Sequence, residues 1–169
     1  MPKRSPNRTS RNRDHTKEDY IKELRRRFPK FSATNDEDEL ICLLYDPFGS
    51  FMLDVINRRY GTGDEKPNYF FDGDIGNLYA GNEELDEEIG RYFEFIEYLF
   101  EDEGEIRDVL NVCLFESLHG SIVGDGLARE YLSEECYDHY ASIFQIGRKR
   151  AGQAQTILSR GKRRPARAC

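Results

Sequence analysis

Apolar residues recur at three- and four-residue spacing through most of the chain, and that period predicts helices. Tyr20, Ile21, Leu24 and Phe28 follow Thr16 and Asp19, which have the spacing of a capping box with the shorter acid, and Pro29 ends the run, so a first helix is expected over 17–28. Thr34 or Asn35 caps a second, with Asp36, Glu37, Asp38 and Glu39 at its positive dipole end and Leu40 to Tyr45 as its buried turn. Asp46-Pro47 reads as a fresh N-cap and first position. A further helix then carries Phe48, Phe51, Met52, Val55 and Ile56 to Tyr60 and Gly61. The clearest period covers 82–103, where Leu85, Ile89, Tyr92, Phe93, Ile96, Leu99 and Phe100 repeat behind Asn82. From Glu105 to Leu118 apolar residues nearly encircle the axis, which predicts a central, buried helix. Gly120, Gly124 and Gly126 are expected to break the chain. Leu127 to Leu132 then form a short helix, and Ser133 caps a last one carrying Tyr137, Tyr140, Ala141, Phe144 and Ile146, which either runs on into the residues after it or frays.

The helical period is lost over 61–81, where five Gly and the aromatic patch Tyr69, Phe70 and Phe71 point to one long loop pinned by its aromatics. The fold class expected is all-α, an irregular single-domain bundle of about six helices around that loop. Residues 1–14 read as a disordered basic tail, 15–146 as the helical domain and 147–169 as a second basic tail. No apolar run approaches the ~18 residues that cross a bilayer, and no signal-peptide pattern begins the chain, so a soluble cytoplasmic protein with no membrane partner is expected. Among the 4 Cys no pair has C-x-x-C spacing; Cys42, Cys113 and Cys136 lie in apolar runs and read as buried thiols.

Charge distribution changes the picture most. The net charge of −7 conceals three blocks. Residues 1–13 and 147–169 carry cations and no acid, whereas 31–138 holds 28 Asp and Glu against six Lys and Arg, a balance of −22. A single-signed field of that size opposes compaction and raises the on-rate of a basic partner at low ionic strength.

Few residues have the spacing of a reactive site. Glu116-x-x-His119 has half of a di-iron pattern, with Glu94, Glu97 and Glu101 imaginable as bridging ligands, but no second Glu-x-x-His exists, and a His at a helix C-terminus is favoured by the dipole alone. Asp72 to Asn77 resembles a fragment of an EF-hand loop without its Gly and terminal Glu, and turn chemistry accounts for it. No Gly-x-Ser-x-Gly turn or phosphate loop is present. The expectation is a non-enzymatic domain with no catalytic residue, metal or cofactor.

At 100° per residue, Glu83, Glu87, Glu94, Glu97 and Glu101 gather on the side of the 82–103 helix opposite its apolar stripe, with Tyr98 among them. The ordinary reading is a solvated face with Tyr98 packed on a neighbouring loop. The functional reading is a docking face for a basic protein, anchored by Tyr98, with Asp36 to Glu39 as a second patch. The alternative is nucleic-acid association through Arg148, Lys149, Arg150, Lys162, Arg163 and Arg164, directed at phosphates because no aromatic interleaves them, or a fold-back of these cations on the acidic body.

Phe28-Pro29, the run Leu44-Tyr45-Asp46-Pro47-Phe48-Gly49, the helix segment Phe93-Glu94-Phe95-Ile96-Glu97 and the run Val112 to Leu118 resemble a family of small, acidic, all-helical bacterial proteins of uncertain function, some of them immunity-protein-like. The resemblance implies a helical partner-binding domain without a cofactor, in a toxin–antitoxin setting. The two basic ends depart from that family's pattern and suggest an added contact with nucleic acid.

Overall fold

The computed structural model describes residues 15–32, 41–61 and 75–162. All regular structure among them is helical: α1 (Lys17–Arg27), α2 (Pro29–Ser32), α3 (Ile41–Tyr60), α4 (Ile75–Leu78), α5 (Asn82–Phe100), α6 (Glu105–Val109), a π-helical segment (Leu110–Phe115), α7 (Glu116–His119), α8 (Ile122–Tyr131), α9 (Glu134–Phe144) and α10 (Arg148–Gly161). The all-α expectation holds, with more and shorter segments than the sequence suggests. No helix among the described residues is long and apolar enough to cross a membrane.

Local signals at the ends of α1 and α9 are realised. Thr16 accepts from the Asp19 N–H while the Asp19 carboxylate takes the Thr16 N–H at 2.9 Å, a complete capping box. Ser133 Oγ accepts from the Cys136 N–H, and α9 ends at Gln145 in the left-handed region, φ 51°.

Elsewhere packing overrules local signals. Asp46-Pro47 starts no helix, because α3 runs through it. Pro47 costs a hydrogen bond to the Leu43 carbonyl, but Leu43 and Asp46 are exposed while Leu44, Tyr45, Phe48, Phe51 and Met52 are buried, so the loss falls on the solvent side. Gly124 and Gly126 do not break the chain either; both lie inside α8. A Cβ at Gly124 would run into the Leu118 carbonyl, and one at Gly126 would come within 2.8 Å of Leu158 and 2.9 Å of Ala154. These glycines let α8 approach its neighbours closely. The 105–118 run is central as expected, with Leu110, Leu114 and Phe115 buried, but it is not buried all round: Val112 is 62% exposed. Gly81, not Asn82, takes the N-cap position of α5. Of the long loop, the described part contains α4; Tyr69, Phe70, Phe71 and Asp72 to Asp74 lie outside the described residues, as do Thr34, Asn35 and Asp36 to Glu39.

An aromatic cluster joins α1, α2, α3 and α5: Phe28 lies 4.6 Å from Phe48, and Phe48 is 5.7 Å from Tyr92, centroid to centroid. The segment expected as a C-terminal basic tail contains α10, which packs on α8 and buries Ala154 and Leu158. Its apolar positions at i and i+4, sparse among cations, become a docking stripe only against Gly126 of α8.

Candidate functional site

The acids of α5 separate into two sets. Glu84 accepts from Lys30 at 2.9 Å and from the Ala80 N–H at 3.2 Å. Asp86 takes two hydrogen bonds from the Arg59 guanidinium, at 2.8 and 2.9 Å, and one from the Tyr60 hydroxyl. Glu88 is buried, accepts from Tyr79 Oη at 2.9 Å and pairs with Arg91 at 3.0 Å; its burial pushes the carboxyl pKa up against the pull of those two partners. Glu97 takes the Ser133 N–H at 2.6 Å and the Ser133 hydroxyl at 3.0 Å.

Glu83, Glu87, Glu94 and Glu101 form the other set. All four are exposed, and none has a hydrogen bond or ion pair among the described residues. At 100° per residue they fall within about 40° of arc, and at 1.5 Å per residue they span about 27 Å. The arrangement works against the helix. Glu83 and Glu87 repel at i,i+4, Glu101 stands at the negative end of the dipole, and the last turn of α5 contains no cation.

Of the six residues proposed on this face, the structure brings four into one exposed line and gives two internal roles. Glu97 holds the start of α9. Tyr98 is half-buried against α1: its ring stacks on Phe95 at 6.0 Å, meets Tyr20 at 6.5 Å and His15 at 6.0 Å, and lies 4.8 Å under the Arg27 guanidinium. It packs on a helix, where a loop was expected.

A further exposed aromatic, Tyr131, packs on the adjoining side of α5. It continues the buried i,i+4 line of Val123 and Leu127. It stands at the last residue of α8, stacks on Phe93 with centroids 5.0 Å apart and planes at 18°, and remains 40% exposed.

A second constellation surrounds Asp125, whose side chain is only 1% exposed. Its carboxylate receives the Tyr140 hydroxyl and Arg150 Nε, and His119 Nδ1 lies 3.0 Å from Oδ1. Arg150 also donates to the His119 carbonyl, and the His119 ring stacks on Phe144 at 4.3 Å. Burial, then the Asp125 carboxylate, push the Tyr140 phenol pKa up. The serines nearby are spent on the backbone, Ser117 on the Cys113 carbonyl and Ser121 on the Gly124 N–H. The cluster ties α7, α8, α9 and α10 together. Glu116 is exposed, and among the described residues no group of three His, Cys, Asp or Glu is placed to hold a metal ion.

The cations proposed for nucleic acid divide similarly. Arg150 is closed on Asp125 and Lys162 on Glu130. Arg148 and Lys149 belong to the first turn of α10, and Arg163 and Arg164 lie outside the described residues. Compared with protein-family models, curated proteins and solved structures, the chain matches none.

Proposed function

We propose that this chain is a protein-binding domain whose α5 carboxylate line docks a cationic protein surface, the kind of contact an immunity protein makes with a basic nuclease toxin. One observation carries the reading: Glu83, Glu87, Glu94 and Glu101 are aligned and have no partner among the described residues, while every other acid of α5 is engaged within the fold. Four like charges in one line cost helix stability and satisfy no described residue of the domain, which favours a role toward a partner. The −22 balance of residues 31–138 extends the field that steers a basic partner to this face. On this reading the domain acts by binding. Docking through the C-terminal cations is the weaker reading, because Arg150 and Lys162 are committed to intramolecular pairs.

The test is co-purification from the source cell, in the presence of added nuclease, with the full chain and with a variant in which Glu83, Glu87, Glu94 and Glu101 are all Gln. A basic protein retained by the first, lost by the second and released between ~50 and ~200 mM salt is the expected result. Equal retention by both, or retention that disappears with nuclease treatment, overturns the reading.

A further inference from the structure

Resting on the docking reading above for its site, we propose that the first occupant of the α5 carboxylate line is the chain's own N-terminal arm, residues 1–13, so that a basic partner binds by displacing it. The occupant follows from where this arm joins the domain. α1 runs antiparallel to α5: the Tyr20 hydroxyl donates to Asp102, just past the end of α5, at 2.8 Å, Arg91 donates to the Arg27 carbonyl at 3.2 Å, and Lys30 reaches Glu84 in the first turn of α5 at 2.9 Å. The chain therefore enters the domain at the C-terminal end of α5. His15 is half-buried there, its ring 6.0 Å from Tyr98 and 5.5 Å from Tyr20. Glu94 and Glu101 stand at i−4 and i+3 from Tyr98, the spacing at which side chains of one helix are neighbours. The arm is thus rooted one turn from two of the four carboxylates.

Charge and length then match. Residues 1–13, outside the described residues, carry Lys3, Arg4, Arg8, Arg11 and Arg13 and no acid. Extended at ~3.3 Å per residue, the stretch from Arg13 to Lys3 reaches about 33 Å, and the line from Glu101 to Glu83 is about 27 Å long. Arg8 and Arg11 are then ~10 Å apart, as Glu94 and Glu101 are along their helix.

The C-terminal basic segment already behaves this way. Arg150 closes on Asp125 and Lys162 on Glu130, so the chain spends cations near one end on its own acids. On α5 the docked arm relieves the repulsion between Glu83 and Glu87 and supplies the cation that the last turn lacks. His15 Nε2 is buried with no hydrogen-bond partner, a cost that a polar group of the arm lying over Tyr98 removes. Tethering presents the arm at an effective concentration of about 1 mM, so an intrinsic Kd of about 0.1 mM keeps the line about nine-tenths occupied and weakens an outside ligand about tenfold. A partner must then outcompete the arm in number or placement of cations.

The experiment follows tryptic cleavage of the full chain after Arg8 and Arg11 by mass spectrometry at ~50 mM salt, in the wild type and in the variant with Glu83, Glu87, Glu94 and Glu101 all Gln. The variant should be cut there about tenfold faster, with cleavage after Arg163 unchanged as internal control, and the difference should close at ~500 mM salt. Equal rates at low salt overturn the inference. Protection that grows with protein concentration also overturns it, and gives the arm to a second copy. Calorimetric titration of both proteins with an Arg-Gly-Ser repeat peptide keeps the docking reading separate. If the rates are equal while the variant binds the peptide less than the wild type does, docking stands and the arm falls; if the rates differ while both bind the peptide equally, the arm stands and docking falls.

Discussion

The Glu97 carboxylate spans α5 and α9 to grip Ser133, taking its backbone N–H at 2.6 Å and its hydroxyl at 3.0 Å. It therefore neutralises the positive end of α9 and is engaged inside the domain, whereas Glu94, one turn earlier, faces water alone. Glu97→Ala should cost about 1–2 kcal/mol in chemical denaturation, the worth of a cap with a charge-assisted hydrogen bond. Glu94→Ala should leave stability unchanged within about 0.5 kcal/mol and weaken basic-peptide binding. Stability and affinity measured on the same two variants separate the roles.

The tie between Asp125 and Arg150 makes α10 part of the fold. Arg150→Ala leaves a buried carboxylate without its cation and should destabilise the domain by about 3 kcal/mol. Hydrogen exchange should show protection falling first across 150–161, because the packing of Ala154 and Leu158 and the Lys162–Glu130 pair must then hold the helix on α8.

Two glycines of similar helical setting should respond oppositely to alanine. Gly124→Ala drives a Cβ into the Leu118 carbonyl and should cost more than about 2 kcal/mol. Gly90→Ala meets no neighbour and should stabilise by about 0.5–1 kcal/mol, read as a rise in melting temperature.

Glu23 supplies a pH signature. Hydrogen bonds from Arg26, at 2.7 and 2.9 Å, and from Arg27 hold its pKa down to about 2, against 4.5 for an ordinary Glu. A depressed carboxylate stabilises the fold above its unfolded pKa, and that contribution is lost as pH falls through the folded value. The wild type should exceed Glu23→Gln by about 1 kcal/mol at pH 7, and the gap should close between pH 4.5 and about 2 in denaturant titrations at a series of pH values.

The spans of α1, α5 and α9, the Thr16–Asp19 box and the Ser133 cap were legible in the chain, because each depends on residues within one or two turns of each other, and the segregation of charge was legible by count. The partners of Glu23 belong to the same class, at i+3 and i+4. Which acids of α5 are engaged was not legible. Glu94 and Glu97 have the same side chain on nearly the same face, and only Ser133, 36 residues further on, separates them. Proline and glycine misled for a related reason: Pro47, Gly124 and Gly126 are breakers by local propensity, yet burial around α3 and close contact of α8 with Leu118 and α10 reverse their sign. The amino-acid sequence by itself determined an all-helical domain with an acidic body and basic ends, because short-range period and charge count suffice for that. Only the tertiary structure decided which carboxylates remain for a partner, because pairing across distant segments is set by how the helices pack and by nothing local to the acids themselves.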